Sequence, residues 1–236
     1  MSKQCDKALF STPFCKNYWK LSFSELKNVR MLVLAAVIVA LRVAVKSITI
    51  PLMEGLHISL DFFVNSVGSM IYGPVLGIIV GACSDTIGAL LFPSGVYFFP
   101  FIFVEMTSSF IFGLFLYRSK LTVTRIIFAR FSVVVFDNLF LNQIIMKYYY
   151  TIIYNKDYAI FRLPRLIKNL CLFPFESLLL VIFLSAVSVG TYKLGFTYCK
   201  QENLKIDKKA IITLIILTLI SAAFIGFYCY YTLVLA

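Results

Sequence analysis

Histidine is nearly absent from this 236-residue chain, and clustered cysteine is absent altogether. The single imidazole, His57, lies in a polar stretch with no H-E-x-x-H pattern around it. The six cysteines (Cys5, Cys15, Cys83, Cys171, Cys199 and Cys229) are scattered, with no C-x-x-C pair, so no zinc or haem site can be read from them. Several fall inside apolar runs, where a free thiol behaves as a small hydrophobe. Without a nucleophile beside a base or a metal cluster, an intramembrane enzyme lacks its usual machinery. There is no G-x-x-x-x-G-K-[ST] loop either, so the chain cannot hydrolyse ATP by the usual route. Long polar stretches are also missing, which excludes a separate soluble domain. The first 28 residues are basic but hold no apolar core with a small-residue cleavage site, so they read as a tail and not as a signal peptide.

What fills the sequence is apolar: 61% of residues are hydrophobic and only 14% charged. Runs approaching the ~20 residues that cross a bilayer follow one another, which predicts an all-α, multi-pass protein of the cell membrane. The net charge of +11 does not point to nucleic acid, because Lys and Arg gather beside apolar spans instead of on one water-facing surface. A topology signal and contact with anionic lipid explain it better.

The apolar runs cover 29–50, 60–72, 75–92, 96–117, 126–146, 166–190 and 210–236, giving six or seven helices. Gly73-Pro74 separates the second run from the third, and Pro93-Ser94-Gly95 the third from the fourth. Residues 51–59 read as a loop. This divides the chain into a basic cytoplasmic N-terminal tail (1–28), a six-helix core (29–190), a charged cytoplasmic linker (191–209) and an additional C-terminal transmembrane helix (210–236). With seven spans, the basic segments 1–28, 118–130 and 193–209 share one side, the cytoplasm. The 147–168 connection breaks the pattern, placing Lys147, Lys156, Arg162, Arg165 and Lys168 outside. They are either solvated loop charges or an electrostatic funnel for an anionic solute.

Two helix faces carry the remaining information. On the first helix Ala36, Ala40 and Ala44 recur every four residues as a smooth stripe, suited to close approach by another helix. Arg42 and Lys46 lie about 200° away at 100° per residue. Such charges either line a polar interior or snorkel outward. Gly73, Gly77, Gly81 and Gly88 form a glycine seam that carries Asp85, with Arg42 as a candidate partner. On the sixth helix Arg165, Asn169, Leu172 and Glu176 fall within about 60° of one another. A cation, an amide and a carboxylate on one side could satisfy a flat heterocycle and its carboxylate. Asn138 and Asn142, four apart, either join that face or bond between helices, and P-S-G-V-Y-F-F-P-F offers aromatics for stacking or for the interfacial belt.

In order, these segments resemble an S-component, the substrate-capturing membrane subunit of energy-coupling factor (ECF) vitamin transporters, and most of all its folate family. The likeness covers about 32–184. It rests on the Ala36/Ala40/Ala44 stripe, on H-I-S-L-D-F-F-V-N leading to Y-G-P-V-L-G-x-x-x-G-x-x-x-D, on P-S-G-V-Y-F, on G-L-F-L-Y-R, on N-L-F-L-N and on R-L-P-R-L-I-K-N-L-C-L-F-P-F-E. The resemblance implies a six-helix fold holding one vitamin near its extracellular face. It implies docking through the alanine stripe onto a shared transmembrane coupling subunit with two ATPases, which use the ATP, so that the chain itself needs no cofactor. By position it puts Lys46, Tyr97, Phe98, Arg165 and Asn169 near the ligand, with Asn65, Phe101, Asn142 and Glu176 completing the candidate set. An anionic glutamate tail on folate would account for the basic 147–168 connection.

Phe99-Pro100-Phe101 stands where relatives tend to have F-P-G-F, Glu105 stands where a small residue is expected, and 210–236 extends beyond the family core. Another vitamin or a nucleobase-like precursor is the next reading for the ligand. The small-residue seams alone would also suit a non-transporting membrane assembly protein, which would bind no ligand saturably.

Overall fold

The computed structural model describes residues 10, 13–47, 49–53, 56–93, 96–156 and 163–197, together with Ile212, Thr213, Ile215, Ile216, Leu219 and Ala223. The described chain is helical apart from one hairpin. The helices are α1 (Lys16–Ser24, continued by a 3-10 turn Glu25–Lys27), α2 (Val29–Lys46), α3 (Asp61–Leu91), α4 (Phe101–Leu116), α5 (Val123–Val133), α6 (Asn142–Tyr154) and α7 (Leu163–Lys193). Between α5 and α6 the residues Val134–Leu141 wind as a π-helix. Strands β1 (Thr49–Met53) and β2 (Leu56–Ser59) pair antiparallel, with Thr49 opposite Ser59 and Ile50 opposite Ile58. That hairpin replaces the loop expected over 51–59. The pairing meets the backbone hydrogen-bond demand of the link from α2 to α3.

The expected break at Gly73-Pro74 is present: Gly73 sits at φ 82°, ψ −179° inside an otherwise helical Asp61–Leu91. A left-handed φ favours glycine, and Pro74 lacks the N–H that a restarting helix leaves unpaired. By length and composition α3 and Leu172–Lys193 can each cross a membrane, and α1 with α2, bent by 80°, make a third candidate. The six isolated residues between 212 and 223 are helical and exposed. The rest of the expected C-terminal helix, and residues 198–209 of the expected linker, lie outside the described residues.

The chain forms two compact units. The first comprises Met1–Leu121 and Leu184–Asn203, the second Thr122–Phe183 and Leu204–Ala236. In the first, α3 packs along α4, and Gly113 lets the backbone of Pro74 come so close that a Cβ would lie 2.6 Å from its Cα. Gly77 and Gly81 meet the backbone of Ser109 and Glu105, so the glycine seam is internal packing. Tyr72, Leu76, Phe112, Leu116 and Leu184 are buried here, while Ile126, Ala129, Val134 and Leu180 are buried in the second unit.

The N-terminal stretch is not a tail from Lys16 onward. Tyr18, Ser22 and Glu25 are buried in the first unit. Tyr18 Oη donates to the carbonyl of Gly113 at 2.9 Å, and Tyr117 Oη donates to Glu25 Oε1 at 2.9 Å. Arg118 Nη2 lies 3.2 Å from the same carboxylate oxygen. The spacing i, i+4, i+7 of the three buried residues is a helical stripe, but the lysines around it dominate the composition.

Candidate functional site

The first unit contains an ionic network built by α2, α3 and α4. Arg42, with no exposed surface, forks onto Asp61: Nε donates to Oδ1 at 3.0 Å and Nη2 to Oδ2 at 2.8 Å. Nη2 also reaches Glu105 Oε2, and Nη1 donates to Ser109 Oγ at 3.1 Å. One turn on, Lys46 Nζ lies 2.8 Å from Glu105 Oε1 and 3.2 Å from Asp85 Oδ1. Ser109 Oγ donates to Asn65 Oδ1 at 2.8 Å, and Asn65 Nδ2 donates to Ser108 Oγ at 3.0 Å. A charge within a span costs several kcal/mol unless paired, so a helix that carries Arg42 and Lys46 into a span needs this network.

Asp85 therefore pairs with Lys46 and not with Arg42 as expected. The fork of Arg42 is taken by Asp61 and Glu105, which α3 and α4 bring to its level. Lys46 is likewise committed to two carboxylates of the same chain, and Asn65 to three serines, Ser69, Ser108 and Ser109. Among the described residues two cations (Arg42 and Lys46) face three carboxylates (Asp61, Asp85 and Glu105). The network's exposure is graded: Arg42 is sealed, whereas the side chains of Lys46 and Glu105 are 23% and 21% exposed. Asp85 Oδ2 is buried without a hydrogen-bond partner among the described residues.

Before α4, Tyr97 is exposed and Phe98 half-buried, its ring set edge-on to Phe101 at 6.1 Å between centroids. On α2 the alanine stripe separates from the cations as expected. Ala36, Ala40 and Ala44 are exposed together with Val33, Val37 and Leu41, while Ala35, Ile38, Arg42 and Val43 are buried.

In the second unit Arg130 of α5 pairs with Glu176 of α7, both buried. Glu176 thus faces a guanidinium of its own chain, where the helical wheel alone suggested a ligand contact. Asn138 Nδ2 donates to Asn169 Oδ1 at 3.3 Å. Asn138 belongs to the π-helical turns, which shift its register from Asn142, a half-buried residue at the start of α6. π-Turns inside helices are frequent at functional sites, and no feature of the 126–146 run announced this one. Gln143 Oε1 and Ser177 Oγ are buried without hydrogen-bond partners among the described residues. Arg165 belongs to α7 by its backbone, and its side chain lies outside the described residues, as does that of Lys168. No group of three or more His, Cys, Asp or Glu that could hold a metal occurs among the described residues.

These elements define a helical membrane protein in which Arg42, Lys46 and Arg130 pair with carboxylates of its own helices. Residues 26–187 match the family described as ECF-type riboflavin transporter, S component, and the chain belongs to that family. It is similar to the folate transporter FolT of Clostridium novyi (strain NT), 29% identical over 158 residues, which cover 66% of this chain and 88% of that protein. It is 30% identical over 151 residues to the folate transporter FolT of Leuconostoc mesenteroides subsp. mesenteroides, covering 63% of this chain and 81% of that one. The crystal structure of FolT bound with folic acid is similar at a TM-score of 0.56 and 28% identity, covering 66% of this chain and 91% of that chain. The expected S-component class and six-helix fold are thereby supported. The family is one of transporter subunits and not of enzymes.

Proposed function

We propose that this protein captures folate at the outer face of the cell membrane and delivers it, as an S component, to a transmembrane coupling subunit driven by two partner ATPases. The observation that carries the reading is the likeness to FolT with folic acid bound, over 91% of that chain. Both named relatives are folate transporters as well. The chain neither hydrolyses ATP nor performs other catalysis in this scheme, and its N-terminus lies in the cytoplasm.

The charge distribution supports the same ligand. Lys46 is held by both Glu105 and Asp85, so it offers little to an anion. Attraction for the two carboxylates of a glutamate tail falls instead to the basic 147–168 connection, where Lys147 and Lys156 are exposed and Arg162, Arg165 and Lys168 follow. Buried hydrogen-bonding capacity at Gln143 and Ser177, unused among the described residues, suits a polar heterocycle. By the family resemblance alone, Tyr97 and Phe98 would stack on its face, and Asn142, Arg165 and Asn169 would contact it. The exposed alanine stripe of α2 would meet the coupling subunit.

Riboflavin is the second reading, favoured by the family's description. It shares a planar heterocycle but has an uncharged side chain that makes no use of the basic connection. Mass spectrometry of the small molecule that co-purifies with the detergent-solubilised protein tests the proposal: a folate is expected. Riboflavin would overturn the ligand, and a protein that carries no small molecule and binds neither vitamin would instead be a membrane assembly protein.

A further inference from the structure

The helix that precedes the first span is bent 80° away from it. If α2 crosses the bilayer, α1 must therefore run nearly parallel to the membrane plane. At 100° per residue its faces sort by chemistry. Tyr18 and Ser22 point into the protein. About 100° round come Trp19 and Phe23; Lys16 and Lys20 follow, then Asn17 and Ser24. Phe23 is 57% exposed, and Phe14, just before the helix, is 91% exposed. Lys16, Lys20 and Lys27 are exposed as well. Trp19 rests against Phe110, in the second half of α4, with centroids 6.1 Å apart.

An aromatic flank bordered by lysines, on a helix bent 80° from the first span, matches the boundary between acyl chains and headgroups. In water two exposed phenylalanines beside a half-buried tryptophan would be a liability; at that boundary aromatic rings and snorkelling lysines are both favoured. The charge selects the lipid, since the exposed lysines of this segment attract anionic headgroups. We infer that α1 and its 3-10 turn form an interfacial clamp, with Phe14, Trp19 and Phe23 among the upper acyl chains and Lys16, Lys20 and Lys27 on anionic headgroups. The clamp would fix the N-terminal end of α2 at one depth, and so the level at which the exposed alanine stripe is presented. It stands whatever ligand the protein carries.

Trp19 is the only tryptophan in the chain, so its emission reports on this helix alone. The full-length protein is placed in nanodiscs of phosphatidylcholine and phosphatidylglycerol, with one lipid or the other brominated high on its acyl chains. At equal mole fraction brominated phosphatidylglycerol should quench Trp19 more than brominated phosphatidylcholine, and high salt should erase the difference. The combined Lys16→Glu, Lys20→Glu and Lys27→Glu protein, checked by monodisperse elution and an unchanged unfolding temperature, should lose the preference without salt. Equal quenching by the two lipids in the unaltered protein would overturn the anionic clamp. Absence of quenching by either lipid, with protection of Trp19 from aqueous iodide arising only on addition of the coupling subunit, would make this face a protein contact and overturn it entirely.

Discussion

Arg42 and Asp61 share two hydrogen bonds, Nε to Oδ1 at 3.0 Å and Nη2 to Oδ2 at 2.8 Å, with the guanidinium fully withdrawn from the surface. A planar fork against a planar carboxylate ties α2 to the first turn of α3. Glu105 and Ser109 extend the tie to α4. Three helices thus meet on one side chain, which makes it the most consequential single residue of the first unit.

Arg42→Met should therefore destabilise the protein by about 3–5 kcal/mol, because it removes the guanidinium that both Asp61 and Glu105 engage. Arg42→Lys keeps the charge but not the fork, and should fall between the two. Thermal unfolding in detergent reads both. An Arg42→Met protein that unfolds at the original temperature would contradict the role given to the network.

Charge balance orders a second pair of variants. Among the described residues three carboxylates face two cations, so Glu105→Gln removes one negative charge, whereas Lys46→Met removes the cation that Asp85 and Glu105 share. Lys46→Met should be the more harmful, and Glu105→Gln introduced beside it should recover part of the loss. Equal losses for the two single variants, adding without recovery in the double, would show that the charges do not act as one network.

Gly113→Ala should cost about 1–3 kcal/mol or more, since the new methyl meets the backbone of Pro74 and not a movable side chain. Gly190→Ala is the matched comparison: nothing lies within 4 Å of its added Cβ, and a helical alanine should gain up to about 1 kcal/mol. Unfolding temperatures moving in the same direction for both would refute the close approach of α3 and α4.

Replacing Ala36, Ala40 and Ala44 together by leucine should abolish ATP-driven uptake in a reconstituted transporter and leave ligand affinity unchanged. All three are exposed, so added bulk has room among the described residues. Affinity falling in step with uptake would make the stripe part of the binding unit.

The helical class, the break at Gly73-Pro74 and the two-sided first helix were legible in the sequence because each is a local property: apolar run length, a turn dipeptide, a spacing of four. Partners were not legible. Asp85 lies closest in pattern to the glycine seam, yet which cation it meets depends on how α2, α3 and α4 stack, and that placed Lys46 there and gave Arg42 to Asp61 and Glu105. Glu176 shows the same limit: a helical wheel fixes its direction, whereas Arg130, 46 positions earlier, fixes what it touches. The α1 helix was hidden for a different reason. Its buried stripe is made of Tyr18, Ser22 and Glu25, only one of them hydrophobic, so apolar periodicity did not reveal it.

Calorimetric titration of the purified full-length protein, without ATP, tests folate capture most directly. The account predicts a saturable isotherm for folate with one site per chain, and no comparable heat for riboflavin. A saturable isotherm for riboflavin with none for any folate would contradict it.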